Sequence, residues 1–133
     1  MTSNKKIDIC EPIDQLRLYG YEDYFISFKS LYEKNKLPNA ILLSGQKGIG
    51  KSTFIYHFIN YLLSQSEKDK YSLENFTINK NNSSFKLIQN HVHPNFFLLI
   101  NGGLKSIVNK RKKNISAIVN PKDLNTKINY FCL

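Results

Sequence analysis

With 133 residues and 41% hydrophobic content, the chain can build one domain with a core but is short for a complete nucleotide hydrolase. No apolar run is long enough to cross a membrane, and the opening Met1-Thr2-Ser3-Asn4-Lys5-Lys6 lacks the apolar stretch of a signal peptide, which points to the cytoplasm. The net charge of +9 is uneven: residues 1–66 carry eight Lys/Arg against six Asp/Glu, and residues 67–133 carry eleven against four.

Residues 1–16 read as an extended or poorly ordered lead-in, because Pro12 discourages a helix through that point. Leu18-Tyr19-Gly20-Tyr21 is a short apolar turn. A helix is predicted over Glu22 to Lys34, where Phe25, Phe28, Leu31 and Tyr32 share one face. Glu22 and Asp23 suit the positive end of its first turn. Pro38 closes the segment, since the residue before a proline is biased away from helix. Ala40 to Ser44 reads as a short buried strand. Gly45-Gln46-Lys47-Gly48-Ile49-Gly50-Lys51-Ser52 follows, and matches G-x-x-x-x-G-K-[ST] at every fixed position. A second helix is predicted over Thr53 to Ser64. Phe54, Ile55, Phe58, Ile59, Leu62 and Leu63 give it a wide stripe suited to packing on a sheet. His57 lies among them and reads as a satisfied or exposed histidine, not a ligand or a base.

Residues 65–84 are polar and lysine-rich, and Asn79-Lys80-Asn81-Asn82-Ser83-Ser84 reads as a mobile loop. Phe85 to Asn90 is a short helix and His91-Val92-His93-Pro94 a turn. The two histidines lack further ligands nearby and make a poor metal site. Asn95 to Asn101 contains Phe96-Phe97-Leu98-Leu99-Ile100, the continuous apolar run of a strand buried on both faces. Gly102-Gly103 ends it. Lys105 with Lys110-Arg111-Lys112-Lys113 could attract nucleic-acid phosphates, but a charge run is more often a solvated surface. Residues 104–114 also contain no aromatic side chain for stacking on single strands. Ile115 to Val119 is a further short strand, and Pro121 onward shows no convincing pattern. Cys10 and Cys132 have no metal or redox spacing and read as reduced, inert thiols.

The strand, glycine-rich loop and helix form the arrangement that phosphate cradling needs. Glycines let the backbone turn sharply and aim consecutive N–H groups at phosphate oxygens, and the helix adds its positive end. In this reading Lys51 reaches the β- and γ-phosphates, and Ser52 places its hydroxyl on Mg²⁺. Gln46, Lys47 and Ile49 fill the variable positions, and Thr53 begins the exposed side of the helix.

Leu18-Tyr19-Gly20-Tyr21, then Leu37-Pro38-Asn39-Ala40-Ile41-Leu42-Leu43-Ser44-Gly45, then Gly48-Ile49-Gly50-Lys51-Ser52 resembles the N-terminus of the bacterial DNA polymerase III delta prime subunit. That subunit is an AAA+ protein of the sliding-clamp loader. His93-Pro94-Asn95 before an apolar strand is similar to a segment found downstream there, so the resemblance covers roughly residues 12–101. It implies that Gly45, Gly48, Gly50, Lys51 and Ser52 wrap the triphosphate of ATP and its Mg²⁺, with Leu18, Tyr19 and Gly20 near the adenine. It implies other clamp-loader subunits as partners, with the sliding clamp and primed DNA reached through the complex.

Hydrolysis needs an acidic residue at the end of a second buried strand. The candidate strands here end in Asn101 and Asn120, so no catalytic residue is assigned and autonomous turnover is not expected. The expected fold is α/β: a partial, AAA+-like, three-layer P-loop domain with a mainly parallel sheet over residues 17–120, followed by an atypical tail at 121–133. A small stand-alone P-loop NTPase or kinase is the alternative. Its metal-holding carboxylate would have to be Asp123, the only acidic residue after residue 75.

Overall fold

The computed structural model of the chain describes residues 10–100, 115–119 and 129–132, the strand residues after Phe96 by their backbone alone. The basic patch at 105–113, Asn101, Asn120 and Asp123 lie outside the described residues. The elements run in the order α1 (Glu22–Glu33), β1 (Ala40–Leu42), α2 (Lys51–Leu63), α3 (Ser83–Gln89), β2 (Phe96–Ile100), β3 (Ile115–Val119) and β4 (Asn129–Cys132), preceded by a 3₁₀ turn at Pro12–Asp14.

Helix α1 forms where the apolar spacing and acidic first turn place it. Phe25 is buried, and Phe28 and Tyr32 are half-buried. Leu31 is exposed, because at about 100° per residue it falls some 120° away from Phe25 around the helix axis. Helix α2 carries nine consecutive buried residues, Phe54 through Leu62. A helix covered on all sides is a core helix, and α2 is covered by α1, α3, the Pro12–Asp14 turn and the 71–78 segment.

The centre of the core is aromatic. Phe25, fully buried, stacks on Tyr71 at a centroid distance of 5.1 Å and meets Phe58, Tyr61 and Phe76 edge-on at 5.5–5.6 Å. Edge-to-face and offset contacts of this kind suit the ring quadrupoles and add to the burial of apolar area.

Residues 65–84, polar in composition, pack on the core, and Asn79 to Ser84 departs from the mobile loop expected of it. Tyr71 and Ile78 are buried, Ser72 and Thr77 pair across a tight turn, and Leu16 and Leu18 bond to Ile78 and Phe76 through their backbones. The lead-in is therefore held down at its end: Ile13 and Leu16 pack against the core. Asn82, in the asparagine-rich run, is fully buried. Its side chain caps α3 by accepting from the Phe85 amide at 2.8 Å and pairs with the Asn60 amide group. Composition failed here because three apolar residues, spaced too irregularly to show a period, reach the core from a hairpin-like turn.

The sheet order is β1-β4-β3-β2. Among the described strands β1 and β4 are parallel, while β4–β3 and β3–β2 are antiparallel, so the sheet is not mainly parallel as expected. For β3 and β4 the reason is connection length. Residues 120–128 are fewer than the dozen or so needed for a parallel crossover, so β4 must return antiparallel to β3. Residues 129–132, read as part of a patternless tail, supply a central strand of the sheet. Ala40 and Leu42 are exposed and Ile41 is buried between them. One face of β1 is thus uncovered among the described residues, and the third layer is not seen there.

Candidate functional site

The segment between β1 and α2 is a surface loop. Residues 44–49 are exposed and Gly50 to Thr53 half-buried. Gly48 and Gly50 have φ of +82° and +99°, a region that side-chain-bearing residues rarely adopt. Those two positions let the chain reverse between Gly45 and the helix. Gly50 is the N-cap of α2, without a side-chain cap.

The hydrogen bonds leave the mouth of this loop rich in donors. The first helical bond of α2 runs from the Phe54 amide to the Gly50 carbonyl at 3.0 Å. Among the described residues, the amides of Gly48, Gly50, Lys51, Ser52 and Thr53 have no protein acceptor. Unpaired N-terminal amides are the general condition of a helix start, and here they adjoin two turned glycines. Lys51 folds back over the loop, its Nζ donating to the Gly45 carbonyl at 2.6 Å and to the Gln46 carbonyl at 3.2 Å. An ammonium group, a row of open amides and a helix N-terminus lie together in this short loop, a donor set suited to an anion with several oxygens. Ser52 carries the nearby hydroxyl, and Gln46, Lys47 and Ile49 lie on the exposed rim.

Two cavities flank the loop. One, of about 240 Å³, is lined by Tyr21, Tyr24, Phe28, Leu43, Ile49 and Lys51, among others. The other, of about 200 Å³, is lined by Gln15, Arg17, Leu18, Tyr19, Gly50 and Thr53, among others. Leu18 is 2% exposed and belongs to the core as much as to this cavity. Tyr19 is exposed, with the Arg17 guanidinium 5.1 Å from its ring centre, a cation–π distance.

Tyr21 belongs to the Leu18–Tyr21 segment that carries the resemblance, yet no role of its own follows from the sequence. In the structure it stands between both cavities and hydrogen-bonds the loop. Twenty-eight residues separate the bonded pair, so no local pattern could have revealed it.

His57, also in α2, is fully buried and satisfied. Its Nε2 lies 2.8 Å from the Gln15 carbonyl, which can only accept, so Nε2 carries the proton; Nδ1 then accepts from the Tyr71 hydroxyl at 2.9 Å. Burial holds its pKa down to about 4, against the opposing effect of the Gln15 carbonyl. Burial likewise raises the Tyr71 phenol well above its usual value. His93 is buried beside Ser84. No group of three potential metal-ligating side chains occurs among the described residues, and no helix there is long and apolar enough to cross a membrane.

Compared with known families, the sequence matches the one described as DNA polymerase III, delta subunit, over residues 20–129. No curated protein and no solved structure matches it.

Proposed function

Since the chain belongs to the DNA polymerase III delta subunit family, a clamp-loader-type family of DNA replication, we propose that its Gly45–Ser52 loop binds ATP with Mg²⁺. The chain then acts as a delta prime-like, nucleotide-binding AAA+ subunit, or the N-terminal part of one, in the cytoplasmic DNA polymerase III holoenzyme. Its partners are the other clamp-loader subunits, and it meets the sliding clamp and primed DNA through them.

The observation that carries this reading is the grouping of open amides with Lys51 at the start of α2. The β- and γ-phosphates fit that donor set, with Lys51 exchanging loop carbonyls for phosphate oxygens. Ser52 is the residue for Mg²⁺, which keeps most of its waters and takes few protein ligands. The adenine falls on the side of Tyr19 and Leu18, and Thr53 borders the same cavity. Magnesium would supply charge neutralisation between the phosphates. The chain's own residues supply binding and orientation.

The test is calorimetric titration of the full chain with ATP and ADP in the presence of Mg²⁺, with hydrolysis followed on the same sample. Binding without turnover is the expected result. Absence of binding by a folded chain would refute the proposal, and turnover would replace it with the stand-alone NTPase.

A further inference from the structure

Tyr21 touches the loop in two ways. Its hydroxyl donates to the Ile49 carbonyl at 2.5 Å, and its ring edge would lie 3.3 Å from a Cβ placed on Gly50. A third contact, with the Phe54 ring at 5.8 Å, anchors the ring to α2. We infer that Tyr21 is a positioning residue for the loop: from the start of α1 it sets the orientation of the Ile49–Gly50 peptide and the point at which α2 begins.

The argument is geometric. A trans peptide is planar, so its carbonyl and the following N–H point to opposite sides. Holding the Ile49 carbonyl against Tyr21 therefore aims the Gly50 amide away from Tyr21. The same carbonyl is the i−4 partner that the Thr53 amide would take if α2 wound one residue further back. With Tyr21 bonded to it, the first helical bond is Phe54 to Gly50, and the Thr53 amide stays open. The ring against Gly50 acts in the same direction, because Gly50 sits at φ +99°, where the helix cannot continue through it. One side chain thus keeps the loop unwound and its donors presented.

The consequence for affinity rests on the nucleotide reading above, whereas the conformational effect does not. The test uses the full chain and Tyr21→Phe, which deletes the hydroxyl and keeps the ring, with Ser27→Ala as a control that deletes an exposed hydroxyl of α1 bonded only within that helix. Amide hydrogen exchange is measured without nucleotide, and Mg·ATP affinity by calorimetry. In Tyr21→Phe, exchange at Thr53 should slow about three- to tenfold as its amide takes the freed Ile49 carbonyl, the scale of one neutral hydrogen bond. Mg·ATP binding should weaken by a similar factor, with exchange in the centre of α2 unaltered. Ser27→Ala should change neither. Exchange at Thr53 that does not slow overturns the inference, including when affinity falls, since Tyr21 would then act on the ligand and not on the start of α2. A uniform rise across α2 also overturns it, because the hydroxyl would then serve the fold as a whole. If the parent chain binds no Mg·ATP, the nucleotide reading falls while the exchange comparison still decides the role of Tyr21.

Discussion

Lowering the pH from 7 to 4 should strip the fold of a specific increment of stability through His57. In the folded chain the neutral ring is enclosed, donating to the Gln15 carbonyl and accepting from Tyr71. Its pKa is lowered to about 4, chiefly by burial, against an ordinary value of 6.5. In the interval between those values the unfolded chain takes up a proton that the folded chain refuses. Stability is therefore full above pH 6.5 and falls as the pH drops toward 4. A separation of roughly 2.5 units corresponds to about 3 kcal/mol, a large share of the roughly 5–15 kcal/mol that holds a typical domain together. Protonation also puts a hydrogen on Nδ1, so the Tyr71 hydroxyl has to turn away from it. The assay is urea unfolding at half-unit pH steps for the parent and His57→Gln, whose amide can replace both bonds without titrating. His91 and His93 are common to the two chains, so their contribution cancels in the difference. The gap between the curves should close by about 3 kcal/mol from pH 7 to pH 4. Parallel curves would refute the reasoning and show that His57 takes its proton without leaving the core.

Three further outcomes can be checked. Lys51→Ala should weaken Mg·ATP binding by about ten- to a hundredfold, the scale of a hydrogen bond to a charged group, with the far-ultraviolet circular dichroism unchanged; calorimetry of the two proteins decides it. Phe25→Ala removes the ring that meets Tyr71, Phe58, Tyr61 and Phe76 and should cost about 3–5 kcal/mol in urea unfolding. Asn82→Ala deletes both the cap of α3 and the partner of the buried Asn60 amide. A loss of about 2–4 kcal/mol is expected, and less than 1 kcal/mol would mean that Asn60 finds another partner.

Helix α1, the strand–loop–helix unit around Gly45–Ser52 and the strand at Ile115–Val119 were legible in the amino-acid sequence, because each rests on local rules. Apolar spacing marks the helix face, glycine spacing marks the turn, and a short apolar run marks a strand. The family match over residues 20–129 agrees with the resemblance carried by residues 12–101, at the level of DNA polymerase III clamp-loader-type subunits. What the tertiary structure decided was everything set by contacts between distant positions. Tyr71, Phe76 and Ile78 leave no periodic trace, yet Tyr71 and Phe76 pack on Phe25 and all three bring the polar 65–84 segment onto the core. Strand β4 is short and preceded by unpatterned residues, and its place between β1 and β3 follows from pairing partners. Tyr21 reads as an ordinary aromatic residue until the chain brings Ile49 to its hydroxyl. Periodicity records which way a side chain faces along its own element; which partner it meets depends on how the elements are brought together, and that is settled only when the chain closes on itself.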